Sequence, residues 1–90
     1  MNIKDFLERI SEMGPIAVFF VTEDISGNAG GGYPRNACNI KEYEETLEVH
    51  FEDDSYGFGL KKANIQSIYE KSNCLFVEMK SGNSICFECD

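Results

Sequence analysis

The apolar positions along the chain change period near residue 16, and the change separates two kinds of structure. Ile3, Phe6, Leu7, Ile10 and Met13 recur at spacings of three, one, three and three. That spacing lines them up on one stripe and predicts a helix over residues 2–13. Asn2 can cap its start, and Asp5 stands three residues on, in a capping-box position. Gly14-Pro15 ends it, because glycine accepts the left-handed cap and proline cannot continue the helix. Ile16 to Thr22, IAVFFVT, is apolar at both parities, short, and dominated by β-branched and aromatic side chains. It reads as a central strand with both faces covered, one of them by the helix.

Glu23 to Asn36, EDISGNAGGGYPRN, holds four of the eight glycines. A glycine-rich loop invites comparison with phosphate cradles. No lysine follows the glycines as a Walker loop requires, and Tyr33-Pro34 opens no helix as a dinucleotide fingerprint requires. The stretch reads as a turning loop with room for a short strand.

From Cys38 onward the period is two. Leu47, Val49 and Phe51 alternate with Glu48, His50 and Glu52, which predicts a half-buried strand. Asp53-Asp54-Ser55 turns the chain. Tyr56, Phe58 and Leu60 then alternate with Gly57 and Gly59 as an antiparallel partner. Lys61 to Asn64 turns again, and a short 3₁₀ turn leads into a strand from about Gln66. A hairpin closes the chain, with arms Leu75 to Lys80 and Ser84 to Cys89.

The hairpin register follows from its faces. With a two-residue loop at Gly82-Asn83, Val77 faces Glu88 and Glu78 faces Phe87, so apolar residues meet charges. With a three-residue loop, Ser81-Gly82-Asn83, Met79 faces Ile85, Val77 faces Phe87 and Leu75 faces Cys89. This register collects one apolar face and one mostly polar face, and is the expected one. It turns Ile85, Phe87 and Cys89 inward and Cys86 outward. The C-x-x-C of Cys86 and Cys89 then lies on a strand, its sulfurs on opposite faces and its Cα atoms roughly 10 Å apart. A disulfide or a shared metal needs convergent sulfurs, and Cys38, Cys74 and His50 complete no tetrad. No metal site is expected.

Composition narrows the function classes. Ninety residues predict one domain, 1–90, with one core. Sixteen acidic residues against eight basic ones give a formal charge of −8. Such a surface repels phosphate backbones and anionic headgroups, so nucleic acid and membrane are not expected partners. The longest apolar run, Ile16 to Val21, is too short to span a bilayer, and the charged first residues carry no leader pattern. A cytoplasmic location with reduced thiols is expected. No nucleophile-elbow, zincin or Cys-His-Asn signature occurs, so the chain is not expected to be an enzyme.

His50 is the only histidine. On the polar face between Glu48 and Glu52 it reads as a solvated strand histidine. It is also the one side chain suited to ligate haem or a metal, or to carry a proton. The carboxylates Glu42, Glu44, Glu45, Glu48, Glu52, Asp53 and Asp54 lack a calcium-loop pattern and read as a solvated edge. The many aromatics suit a planar apolar ligand, and equally a small sheet core.

The order of these features resembles the C-terminal part of the haem-utilisation carrier proteins of the ChuX/HutX type, which are similar to half of the larger HemS-like proteins. The segments that carry the resemblance are SEMGPIAVFFVTEDI (Ser11 to Ile25), GGGYP (Gly30 to Pro34), CNI (Cys38 to Ile40) and LEVHFE (Leu47 to Glu52). It continues in LKKANIQSIYEK (Leu60 to Lys71) and CLFVEMKSGNSICFECD (Cys74 to Asp90). The resemblance is one of spacing over nearly the whole chain. It implies a HemS/ChuX-like antiparallel sheet with a flanking helix, a homodimer, and haem as a possible cofactor, with His50 on the family's strand histidine. Met13 stands where the family has tryptophan, and Arg35-Asn36-Ala37 where it has a second histidine. The family's N-terminal helical subdomain has no counterpart in these residues, and basic residues for haem propionates are scarce.

The expected fold is therefore α+β: an N-terminal helix packed on a curved antiparallel sheet of about six or seven strands, with open edges that invite dimerisation. Two functions fit it. One is a non-enzymatic binding or carrier protein for haem or another planar apolar ligand, with His50 at the ligand. The other is a protein–protein interaction or dimerisation module with no small-molecule ligand.

Overall fold

The computed structural model describes residues 1–13, 16–21, 32–51 and 54–88, with backbone alone for 16–21 and 32–38. The Gly14-Pro15 stop, most of the glycine-rich loop, Glu52, Asp53 and Cys89 lie outside the described residues. Helix α1 spans Ile3–Met13, followed by strands β1 (Ile16–Val21), β2 (Gly32–Glu42), β3 (Thr46–Phe51) and β4 (Tyr56–Lys61). A 3₁₀ turn over Lys62–Asn64 leads into β5 (Ile65–Lys71), β6 (Cys74–Met79) and β7 (Ser84–Glu88).

The α+β class is as expected. The β layer is built as two three-stranded antiparallel meanders, β2–β3–β4 and β5–β6–β7. Strand β1 joins them, antiparallel to β2 on one side and to β7 on the other, so the hydrogen-bonding order is β4-β3-β2-β1-β7-β6-β5. The strand number falls within the six or seven expected, but the strands form two meanders meeting at β1 rather than the single curved sheet expected from the sequence. The ladder is irregular at that junction: a step of two residues in β1, from Ile16 to Val18, opposes a step of four in β2, from Ala37 back to Tyr33. Pro34 lies in that irregular stretch, where its missing N–H costs no regular ladder bond. Strand β2 thus begins at Gly32, inside what reads in sequence as a loop.

The apolar stripe of α1 closes over both meanders. Phe6 and Ile10 are buried in one core with Leu47, Val49 and Phe51 of β3, Leu60 of β4, Ile68 of β5, Leu75 and Val77 of β6, and Ile85 and Phe87 of β7. The Phe6 and Phe87 rings meet edge to face at 5.4 Å, which packs the helix on β7; the expected packing of the helix on β1 falls on side chains outside the described ones. Asn2 caps the helix: its Oδ1 accepts from the Asp5 N–H at 2.7 Å, which satisfies one of the orphan donors of the first turn.

The closing hairpin has the expected loop length and a shifted loop position. The loop is Lys80-Ser81-Gly82. Met79 N–H donates to the Asn83 carbonyl at 2.8 Å, and Gly82 N–H to the Met79 carbonyl at 2.9 Å. The pairs are therefore Leu75 with Phe87, Val77 with Ile85, and Phe76 with Cys86. The reason is Gly82, whose φ of 94° occupies the left-handed seat that ends a three-residue hairpin loop. Each expected partner moves by two residues, so the faces survive: Leu75, Val77, Ile85 and Phe87 all point into the core.

On the rim of this core Arg9 of α1 forks onto Glu70 of β5, with Nε to Oε1 at 2.7 Å and Nη2 to Oε2 at 3.2 Å. The hydrogen bond from Arg9, with its charge, holds the Glu70 carboxyl below the ordinary carboxylate range. A lowered folded-state value stabilises the fold above the unfolded carboxylate pKa, and this contribution is lost as pH falls through the folded value. Arg9→Ala is expected to raise the Glu70 midpoint, read by NMR titration of its side-chain carboxyl carbon. An unmoved midpoint would show that the fork is not populated in solution.

Candidate functional site

Two clusters lie on the outer face of the β layer, opposite the helix. The first surrounds His50 on β3. Alternation in the sequence puts Tyr56, Phe58 and Leu60 on one face, but a bulge intervenes. Val49 pairs with Phe58 while the next residue, His50, pairs with Tyr56, so Gly57 is the extra residue. Leu60 is buried in the core, whereas Tyr56 crosses to the outer face, 61% exposed. There its ring meets that of His50 edge to face, centroids 5.9 Å apart.

His50 is not the solvated side chain its sequence neighbours suggest; it is 7% exposed. Its Nε2 lies 3.1 Å from Glu48 Oε1 and its Nδ1 lies 3.2 Å from the Asp54 carbonyl oxygen. Asp54 turns the chain back with a φ of 60°. Its carboxylate stands 3.7 Å from Nδ1 and 3.5 Å from Lys41 Nζ. Chemically, the histidine ties β3 to the turn after it. Nδ1 is the donor to the Asp54 carbonyl, so to bind haem iron only Nε2 would have to change partner, leaving Glu48. As it stands, Nε2 faces the Glu48 carboxylate. Among the described residues, no group of three or more His, Cys, Asp or Glu side chains is arranged to hold a metal.

The second cluster spans β5, β6 and β7. Register sets a row across the three strands, Tyr69 beside Phe76 beside Cys86. The Tyr69 and Phe76 rings stack at 5.1 Å with an interplanar angle of 14°. Tyr69 is 38% exposed, and its phenol is pushed up first by partial burial and then by its hydrogen bond with Glu78. Glu78 also accepts from Ser67 Oγ at 3.1 Å. Cys86 faces outward as expected, yet it is 8% exposed rather than peripheral. Its thiol is pushed up to about 12, by burial first and then by Cys74 and Glu88. Cys74 is the described cysteine beside it. The loop position hid this from sequence: with the loop one residue later, Cys74 lies opposite the chain end and far from Cys86.

The acidic edge is partly paired. Lys62 Nζ lies 2.8 Å from Glu42 Oε2. Glu44, Glu45, Thr46, Lys61, Lys62 and Ala63 line an open cleft of about 390 Å³. It sits at the Thr46 end of β3, away from His50, and none of these lining residues is an aromatic on which a porphyrin could stack. Among the described residues no helix is long and apolar enough to cross a membrane. No family model, curated protein or solved structure matches this chain.

Proposed function

We propose that this protein is a non-enzymatic interaction module that forms a homodimer through the outer face of β5, β6 and β7. The observation that carries the reading is the stacked Tyr69–Phe76 pair, an aromatic surface on the face turned away from the helix. Its flanks suit self-association. One flanking row is Ser67, Glu78 and Ser84; the other is Lys71, Cys74 and Glu88. A two-fold axis along the aromatic row lays the first over the second. Lys71 then meets Ser67, Cys74 meets Glu78, Glu88 meets Ser84, and no carboxylate faces a carboxylate. That matters in a chain of formal charge −8, where most other faces repel their own copies. Cytoplasmic residence belongs to this reading.

The test is a dilution series followed by NMR. Amide resonances of 67–78 and 84–88 are expected to move together with protein concentration. Movement confined to β4, Tyr56–Lys61, would place the contact at the other end of the β layer and discard this face.

The carrier reading keeps one support, the flat aromatic pair, on which a planar ligand could stack. A HemS/ChuX-like ancestry is compatible with the helix followed by antiparallel strands, but folds pass on without their sites. Haem added to the protein with and without His50→Ala decides it. The interaction reading expects no Soret shift at micromolar haem. A shift abolished by the substitution would favour the carrier.

A further inference from the structure

We propose that β4 is a strand-accepting edge, and that its occupant is an extended segment of another protein, laid antiparallel along β4 with a lysine or arginine at the segment's N-terminal end. The strand order ends at β4 on one side and at β5 on the other. The β5 edge is partly filled. The Met1 nitrogen donates to the Ile68 carbonyl at 3.1 Å, and Arg9 forks onto Glu70 of the same strand. Gly59 and Lys61 of β4, by contrast, are exposed.

Their backbone groups are the ones left over by the ladder. Lys62 N–H donates to the Glu45 carbonyl at 2.9 Å. Alternate pairs bond in an antiparallel ladder, so Leu60 with Leu47 and Phe58 with Val49 are bonded pairs too. The N–H and C=O groups of Gly59 and Lys61 therefore point away from β3, at the open edge. Such groups are a template for a further strand. β4 has no proline, and its one charge, Lys61, stands at its end, so the backbone at Gly59 is not guarded against pairing.

The surroundings choose the occupant. The open cleft lies at the Lys61 end of β4, where an antiparallel segment has its N-terminal end. Its Glu44 and Glu45 are exposed and, among the described residues, have no ion pair, whereas Lys62 is already held by Glu42 at 2.8 Å. A basic side chain entering beyond Lys61 gives these carboxylates a partner, and a formal charge of −8 draws basic segments toward the chain. On the outer face, an added Cβ at Gly59 would lie 3.1 Å from the Tyr56 hydroxyl, so the Tyr56 side chain reaches over the glycine. An apolar side chain opposite Gly59 would pack on that exposed ring. Backbone bonds supply most of the affinity, and the basic residue sets direction and register.

The test is an NMR titration of the isotope-labelled chain with a short acetylated peptide, arginine followed by alternating threonine and valine. The Gly59 and Lys61 amide protons are expected to move downfield and to exchange with solvent more slowly, while those of Gln66 and Glu70 on β5 stay unchanged. The same peptide with glutamate in place of arginine is expected to bind about tenfold more weakly. Gly59→Pro removes an edge N–H that serves no ladder bond and should abolish the response. Unmoved Gly59 and Lys61 amides at millimolar peptide would overturn the proposal, as would equal binding of the glutamate peptide. So would movement of the same amides when the chain alone is concentrated, since the occupant would then be a second copy. These three results are read on the wild-type chain, so the outcome does not depend on the variant folding.

Discussion

Phe87→Ala is expected to lower the free energy of unfolding by about 3–5 kcal/mol, the range for removing a buried phenylalanine. Phe87 is fully buried at the centre of the core. It stands beside Leu75 on β6 and Val18 on β1, and receives the Phe6 ring edge-on at 5.4 Å. One side chain therefore joins the helix to the second meander, and the cavity left behind would be walled by Phe6 of the helix and by its core neighbours on the strands. A domain of this length has a total stability of about 5–13 kcal/mol. The variant should be partly unfolded near room temperature or have a much lower urea midpoint, with α1 among the first parts lost. A loss under about 1 kcal/mol would mean that Phe87 is not packed as described.

The second large effect is expected at Gly57. A Cβ there would lie 2.6 Å from Phe51 Cε2, 2.9 Å from Cζ and 3.0 Å from the Val49 carbonyl oxygen. The Phe51 ring is buried in the core and the carbonyl belongs to β3, so neither moves cheaply. Gly57→Ala should cost about 1–3 kcal/mol through overpacking. It should also disturb the bulge that carries Tyr56 to His50, shifting the His50 ring protons. Gly59 is the control. Its added Cβ meets the end of the Tyr56 side chain at 3.1 Å, a group that can swing into solvent. Gly59→Ala should cost well under about 1 kcal/mol. Equal urea midpoints for the two variants would contradict the bulge.

What sequence carried well was periodicity. The stripe from Ile3 to Met13, the Asn2 cap, the inward Leu47, Val49 and Phe51, and the two faces of the closing hairpin all follow from spacing, and the described structure has each of them. What it carried poorly was any residue that breaks the count. One bulge at Gly57 sends Tyr56 to the opposite face, and strict alternation cannot register it. The hairpin loop slipped by one residue because Gly82 and Asn83 can both take the left-handed seat, and glycine does so at lower steric cost. The same slip concealed the meeting of Cys74 with Cys86 and left the conspicuous C-x-x-C spacing to draw attention instead. For His50, alternation put it on the right face. Its burial depends on the Asp54 turn and on Tyr56 across the bulge, neither of which spacing encodes.

The outer face as the site of self-association is tested most directly by sedimentation velocity of the wild-type chain beside Tyr69→Glu. Tyr69 is 38% exposed, so the substitution should leave the fold intact while placing a charge in the aromatic row. The wild type is expected to pass from monomer to dimer as concentration rises, with Tyr69→Glu remaining monomeric throughout. A wild type that stays monomeric at the highest concentration, or a Tyr69→Glu chain that dimerises equally well, would contradict it.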